Sequence, residues 1–220
     1  MDFERDRQQM IADIESGIAV THMMTGRDHF NPRVMDAMRQ VPREDFVPAD
    51  LRHAAFRDGA LPVGHGQTIS QPYIVALMTD LLDLTEDSVV LEIGTGTGYQ
   101  AAILSQLVRQ VYTIEKIPEL AEAAQRRLGA MGYGNVEARC SDGYLGWPEK
   151  APFDGIVVTA AAADVPPALL DQLGPGGRMV IPIGLPYMHQ ELILITRDRQ
   201  GETERSSILG VAFVPLVKGA

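Results

Sequence analysis

The chain has 220 residues, of which 45% are hydrophobic and 22% are charged, ordinary values for one globular domain that argue against disordered and membrane-spanning classes. Lys and Arg number 19 against 29 Asp and Glu, a formal net charge of -10, which disfavours nucleic acid as a partner because phosphates would be repelled. The single cysteine, Cys140, excludes an intrachain disulfide, and the acidic start lacks the pattern of a signal peptide, so a cytoplasmic location is expected.

Residues 1–88 are predicted to form a layer of helices and loops in front of the main sheet. Apolar residues recur at helical spacing from about Phe3 to Gly17. Asn31-Pro32 is typical of a helix start, and a third helix is expected from Tyr73 to Leu82. Prolines interrupt the chain between the second and third helices, which is typical of loops that close over a ligand or face a substrate.

Seven apolar segments in residues 89–220 are predicted to be strands. They are 89–93, 110–115, 135–140, 155–159, 176–184, 191–196 and 211–217, with helices expected at 100–108 and 166–173. No helical segment separates the last two strands, which should therefore pair antiparallel. The expected fold is α/β, a Rossmann-like, doubly wound, mostly parallel seven-stranded sheet with an antiparallel C-terminal edge hairpin, in one domain. Cys140, at the end of the third strand, is expected to be buried.

The most informative motif is the glycine-rich turn that follows the first of these strands. The strand runs directly into Gly94, Gly96 and Gly98, and residues without a Cβ atom let a ligand approach the backbone. A dinucleotide site has the spacing Gly-x-Gly-x-x-Gly, whereas the third glycine here comes one residue earlier. The turn therefore predicts a site for a different cofactor, and the alternative is a tight connection without a ligand.

Two acidic residues follow the next two strands. Glu115 ends the second strand, where the carboxyl ends of parallel strands meet a ligand, and its carboxylate can accept both hydroxyls of a ribose. Asp142 follows the third strand, where its carboxylate could accept a hydrogen bond from the amino group of an adenine. The alternative for each acid is a helix cap or a solvated loop carboxylate.

These segments resemble those of class I S-adenosylmethionine-dependent methyltransferases. Glu92 to Gly98 is similar to their first motif, Glu115 to their ribose acid, and Asp142-Gly143 to their adenine contact. Further segments strongly resemble the protein-L-isoaspartate O-methyltransferase family, namely 41–48, 62–72, 142–148, 153–160 and 213–216. The resemblance covers about residues 31 to 216, and the stretch from His22 to His29 has no counterpart.

The resemblance implies methyl transfer from S-adenosylmethionine to the free α-carboxylate of an L-isoaspartyl residue in a damaged protein or peptide, leaving S-adenosylhomocysteine. Such a carboxylate is already ionised at neutral pH and needs no general base. Ser70 is the implied catalytic residue, because its hydroxyl can donate a hydrogen bond that orients the acceptor. The alternative role for Ser70 is a cap of the following helix.

The cofactor site implied by the resemblance combines the Ser70 loop with the strand ends. Its residues are Gln67, Thr68, Ile69, Ser70, Glu92, Gly94, Thr95, Gly96, Gly98, Glu115, Asp142 and Gly143. Pro182 to Gly184 and Val214 to Leu216 are expected to wall the peptide site. The five histidines lack the spacing of metal ligands, so no metal is expected. The expected protein is a monomer without a nucleic-acid or membrane partner.

Two rival functions share parts of this pattern. An S-adenosylmethionine-dependent O-methyltransferase acting on a small molecule or another protein carboxylate would share everything from Val89 to Gly143, but it would not need the stretch from Gly64 to Pro72. A noncatalytic methyltransferase-like protein should have lost acidic or glycine positions of the motif, all of which are present here.

Overall fold

The computed structural model describes residues 3–186 and 188–217. Its N-terminal layer contains α1 (Phe3–Thr25), α2 (Pro32–Gln40) and α3 (Pro72–Leu81), with short 3₁₀ turns between α2 and α3. The first helix continues past Gly17 to Thr25, so the end expected from the sequence is wrong. Gly17 is accommodated because α1 packs there against the ring of Tyr73, and Ile18 extends the buried face of the helix.

A small antiparallel hairpin lies between the N-terminal layer and the main sheet. It pairs β1 (Leu61–Gly64) with β2 (Gln67–Ile69). His65 and Gly66 form its turn with φ angles of 53° and 70°, the left-handed conformation that tight two-residue hairpin turns require. The segment expected to be a loop is therefore a hairpin that presents the residues before Ser70.

The main sheet has seven strands, as expected. They are β3 (Val89–Ile93), β4 (Gln110–Glu115), β5 (Val136–Cys140), β6 (Phe153–Val158), β7 (Leu173–Gly184), β8 (Gln190–Arg197) and β9 (Thr203–Val211). Their spatial order is β5-β4-β3-β6-β7-β8-β9. The first five strands of this sheet, β3 to β7, are parallel, and β8 and β9 continue it in antiparallel pairing at one edge. The α/β fold with its C-terminal edge hairpin is thus confirmed.

Three helices cross between the parallel strands: α4 (Tyr99–Ser105), α5 (Pro118–Ala130) and α6 (Pro167–Gln172). Alternate residues of the strands enter two separate hydrophobic clusters. Val90 joins the cluster that contains α1 to α4, whereas Leu91 joins the cluster that contains α6. This alternation is expected of a sheet that is covered on both faces.

The expected last strand and the expected burial of Cys140 are wrong. The last strand is β9, which ends at Val211 instead of beginning there, because the polar stretch Thr203 to Ser207 pairs with β8. It is an edge strand with mostly exposed side chains, so it lacks a clear apolar alternation. Cys140 is exposed because β5 forms the opposite edge of the sheet.

In the part of the chain that the structure describes, no helix is long and apolar enough to cross a membrane.

Candidate active site

The glycine turn lies at the C-terminal ends of β3, β4 and β6, and its three glycines serve different purposes. Their φ angles are all positive, at 96° for Gly94, 54° for Gly96 and 90° for Gly98. A Cβ on Gly94 would lie 2.4 Å from Thr159 Oγ1, and one on Gly98 would lie 3.1 Å from the side chain of Leu128. A Cβ on Gly96 would meet nothing within 4 Å, so Gly96 faces the space that a ligand would need.

Glu115 lies where the sequence predicts it, at the end of β4 and against the glycine turn. Its Oε2 accepts a hydrogen bond from Gly96 N at 2.8 Å. Its Oε1 accepts from Lys116 N at 2.8 Å and from Ile117 N at 3.0 Å. The side chain is buried, so the three N–H donors hold the carboxylate in one orientation beside the turn.

Glu92 is fully buried on β3 below the same turn. Its Oε2 accepts a hydrogen bond from Thr113 Oγ1 at 2.5 Å, and Thr113 Oγ1 lies 2.6 Å from Thr95 Oγ1. Burial raises the pKa of Glu92 to about 8, and the Glu115 carboxylate adds to the increase while the Thr113 hydrogen bond opposes it. Glu92 Oε1 has no hydrogen-bond partner, which leaves a buried polar atom for a ligand to satisfy.

Two narrow clefts open beside the turn. The outer cleft is lined by Gln67, Thr68, Gly94, Gly96, Glu115 and Gly143, together with residues 214–217. The inner cleft is lined by Thr68, Ile69, Ser70, Glu92, Gly94, Thr95 and Gly96 among others. The structure therefore brings all but two of the expected site residues to these clefts.

The two exceptions are Gly98 and Asp142. Gly98 is the N-cap of α4, and its Cβ position faces Leu128 instead of either cleft. Asp142 Oδ1 accepts a hydrogen bond from Tyr144 N at 2.9 Å and caps a short 3₁₀ turn, while its neighbour Gly143 lines the outer cleft. The capping role weighed for Asp142 is therefore present.

A larger groove of about 600 Å³ adjoins the inner cleft. It is bounded by Thr68, Ser70, Ile74, residues 188–190 and residues 210–213. Ser70 lines the groove and the inner cleft, and Thr68 lines the groove and both clefts. The N-cap of α3 is Gln71, so Ser70 does not occupy the capping position that was its alternative role.

The C-terminal segment 213–217 contributes to both the groove and the outer cleft, since Phe213 lines the groove and residues 214–217 line the outer cleft. The Gln190 amide accepts from Phe213 N at 2.7 Å and donates to Phe213 O at 3.2 Å. Ala161 N and O pair with Val214 O and Leu216 N at 2.8 and 2.7 Å. Val214 to Leu216 thus line the outer cleft, and Pro182 to Gly184 line neither cleft nor groove. The walls expected for the peptide site therefore stay a prediction.

Sequence reasoning missed Thr159, whose Oγ1 donates to Gly94 O at 2.6 Å and fixes the glycine turn. A polar residue directly after the apolar β6 was the available signal. It also missed α5, although Pro118 and the spacing of Leu120, Ala124 and Leu128 fit a helix. Among the residues that the structure describes, no group of three or more His, Cys, Asp or Glu side chains could hold a metal ion.

Comparison with known proteins identifies relatives over nearly the whole chain. The family model described as protein-L-isoaspartate(D-aspartate) O-methyltransferase matches residues 20–220. Protein-L-isoaspartate O-methyltransferase 2 of Syntrophobacter fumaroxidans is 57% identical over 213 residues, covering 97% of this chain and 86% of the relative.

Solved structures agree with this comparison. A protein-L-isoaspartate O-methyltransferase superposes with a TM-score of 0.80 at 28% identity, and the match covers 95% of this chain and 65% of that one. A Plasmodium falciparum protein, described as a putative member of the same class in complex with S-adenosyl-L-homocysteine, superposes with a TM-score of 0.75 at 22% identity, covering 94% of this chain and 98% of that one. The second likeness supports the fold.

Proposed function

The chain belongs to the protein-L-isoaspartate(D-aspartate) O-methyltransferase family, and we propose that it transfers a methyl group from S-adenosylmethionine to the free α-carboxylate of L-isoaspartyl residues in damaged proteins and peptides. One structural observation carries this proposal. Ser70 and Thr68 line both the inner cleft beside the glycine turn and the groove of about 600 Å³. A cofactor in the clefts and a peptide in the groove would therefore meet at these two residues.

The residues around the clefts fit the cofactor. Gly96 leaves open space where a side chain would stand, and the orphan Oε1 of Glu92 offers an acceptor beside it. Glu115 carries a carboxylate at the wall of the outer cleft, suited to ribose hydroxyls. We assign Gln67, Thr68, Ile69, Glu92, Gly94, Thr95, Gly96, Glu115 and Gly143 to cofactor binding, with Gly98 and Asp142 shaping the backbone around it.

The chemistry places modest demands on the protein. When bound, the cofactor supplies a methyl group on a cationic sulfonium. The acceptor carboxylate is already ionised, so no residue has to remove a proton. We propose that Ser70 orients this carboxylate with a hydrogen bond, and that backbone groups of the groove fix the peptide. Orientation of reacting groups can contribute several kcal/mol to the barrier.

We propose one methyltransferase domain in which residues 1–88 form a substrate-facing layer over a cofactor-binding core at residues 89–220. The hydrophobic cluster that contains α1 to α4 supports a single domain, because residues of α1 to α3 pack there together with residues of the main sheet. The single cysteine and the net charge of -10 support a cytoplasmic protein without a nucleic-acid partner, and we propose a monomer.

The decisive experiment measures methyl transfer from labelled S-adenosylmethionine to an isoaspartyl peptide and to its aspartyl isomer. The two peptides have equal composition and charge, but they place the free carboxylate one methylene apart along the main chain. A displacement of about 1 Å can reduce the rate by roughly a hundredfold, so we expect methylation of the isoaspartyl peptide and little of its isomer. Comparable rates on both, or activity only on a small molecule, would support the rival O-methyltransferase.

A further inference from the structure

Arg43 is a fully buried arginine in the segment between α2 and the hairpin. Its Nη2 donates a hydrogen bond to the carbonyl oxygen of Ser70 at 2.6 Å, and its Nε donates to the carbonyl oxygen of Ala55 at 2.7 Å. Its guanidinium lies 4.7 Å from the ring centroid of Tyr99. One side chain therefore connects the Ser70 loop with the first residue of α4, directly after the glycine turn.

A buried guanidinium whose hydrogen bonds go to carbonyl oxygens carries a desolvation cost that no carboxylate partner offsets. Burial lowers the pKa of Arg43, and Tyr99 and Asp58 oppose the decrease, but a guanidinium remains protonated in a protein. Its Nη1 is buried without a hydrogen-bond partner. An apolar side chain at this position would leave the carbonyl oxygens of Ser70 and Ala55 without these donors. Arg43 therefore fixes the Ser70 loop against the segment that contains Ala55, at the cost of a buried charge.

Asp58 holds the start of α3, which follows Ser70 directly. Its Oδ2 accepts a hydrogen bond from Gln71 Nε2 at 2.7 Å, and its Oδ1 accepts from Tyr73 N at 3.2 Å. The N-cap residue Gln71 makes no capping hydrogen bond with its own side chain. Asp58 therefore supplies from another segment the acceptor that the start of α3 lacks.

We propose that Arg43 and Asp58 are positioning residues for methyl transfer, which hold Ser70 from its carbonyl side and from the start of α3 so that its hydroxyl stays between the inner cleft and the groove. This inference rests on the role proposed for Ser70. The role of Arg43 gives a function to the segment 41–48, which lines neither the clefts nor the groove. Lysine cannot replace the arginine, because an ammonium lacks the rigid fork that reaches two carbonyl oxygens in fixed directions.

The first test compares Arg43→Lys with the wild type in kcat, in KM for an isoaspartyl peptide and in the Kd of S-adenosylhomocysteine by calorimetry. We expect kcat to fall at least about tenfold, since small misplacements of a reacting group reduce rates strongly, while the cofactor Kd stays within about threefold. Arg197→Lys is the matched control. Arg197 Nη1 also donates to two carbonyl oxygens, those of Leu170 and Leu173, but at the start of β7, away from the clefts.

The control should lose thermal stability with kcat within about twofold of the wild type. If Arg43→Lys changes kcat by less than about twofold, or if both arginine variants lose kcat in proportion to stability, the inference is wrong. If the wild type does not methylate the isoaspartyl peptide at all, the proposed function fails instead, so the two failures are distinguishable.

Asp58 provides a second test that does not depend on a core substitution, because its side chain is exposed. Asp58→Ala should lower kcat about threefold or more through loss of both acceptor contacts, and Asp58→Asn should recover most of the loss by keeping one oxygen acceptor. Asp154→Ala is the control. Asp154 is exposed and accepts a hydrogen bond of 2.8 Å from Val89 N, but it lies at the opposite end of the strands. Equal kcat values in all three variants would overturn the proposal.

Discussion

The carboxylate of Glu115 and the backbone N–H of Gly96 are joined by a hydrogen bond of 2.8 Å that ties the end of β4 to the glycine turn after β3. The same carboxylate accepts two more N–H groups, from Lys116 and Ile117. Glu115 therefore shapes the turn as well as lining the outer cleft, and a substitution should affect both properties.

Glu115→Ala should weaken S-adenosylhomocysteine binding by about tenfold or more. The change removes a charged acceptor at the cleft and leaves three backbone N–H groups without it, and a hydrogen bond to a charged group contributes roughly 1.5–3 kcal/mol. Calorimetric titration measures the effect. Glu119→Ala, at an exposed acid on the first turn of α5, is the control with wild-type affinity. A folded Glu115→Ala protein with unchanged affinity would remove Glu115 from the site.

Ser70→Ala should lower turnover far more than cofactor affinity, because the lost hydrogen bond orients the acceptor and not the donor. Turnover and the Kd of S-adenosylhomocysteine are measured on the same preparation. Ser207→Ala is the control, because this exposed serine on β9 donates its hydrogen bond to Glu191 and lies outside the groove. Turnover within about twofold of the wild type, below the roughly 0.5–1.5 kcal/mol of an ordinary hydrogen bond, would exclude Ser70 from catalysis.

Glu92→Gln should become progressively more stable than the wild type as the pH rises. Burial raises the pKa of Glu92 from 4.5 to about 8, so the folded protein binds more protons than the unfolded chain between these values. The unfolding free energy of the wild type therefore falls as the pH increases through this window, by at most about 1.4 kcal/mol per pH unit, and the Gln variant lacks this decrease. Urea unfolding at several pH values from about 5 to about 8 measures it. A stability difference that is constant over this range would contradict the burial of an ionisable Glu92.

Gly17→Ala should destabilise the protein although alanine is the better helix former. A Cβ on Gly17 would lie 2.6 Å from Tyr73 Cδ2, and overpacking of a rigid ring costs about 1–3 kcal/mol, more than the roughly 1 kcal/mol gained in helix propensity. Gly129→Ala in α5 is the matched control, because its Cβ would meet nothing within 4 Å, and it should stabilise. Chemical denaturation compares the two variants, and a stabilised Gly17→Ala would show that α1 does not dock on Tyr73 in this way.

The sequence alone was sufficient for features that depend on local chemistry. The apolar runs from Val89 to Ile93 and from Gln110 to Glu115 predict parallel strands because both faces of such a sheet are buried. Gly94, Gly96 and Gly98 predict a cofactor turn, because a glycine-rich strand-to-helix connection leaves its backbone accessible. Glu115 followed from its place at the end of a strand, since strand ends of a parallel sheet face one crevice.

Tertiary structure alone decided which residues meet and which are exposed. The polar stretch of β9 becomes a strand because β8 supplies its hydrogen-bond partners, and Cys140 is exposed because β5 is at the edge of the sheet. The contact of Arg43 with Ser70 joins residues 27 positions apart. Such contacts depend on the path of the backbone between distant segments, and neither periodicity nor local propensity contains that information.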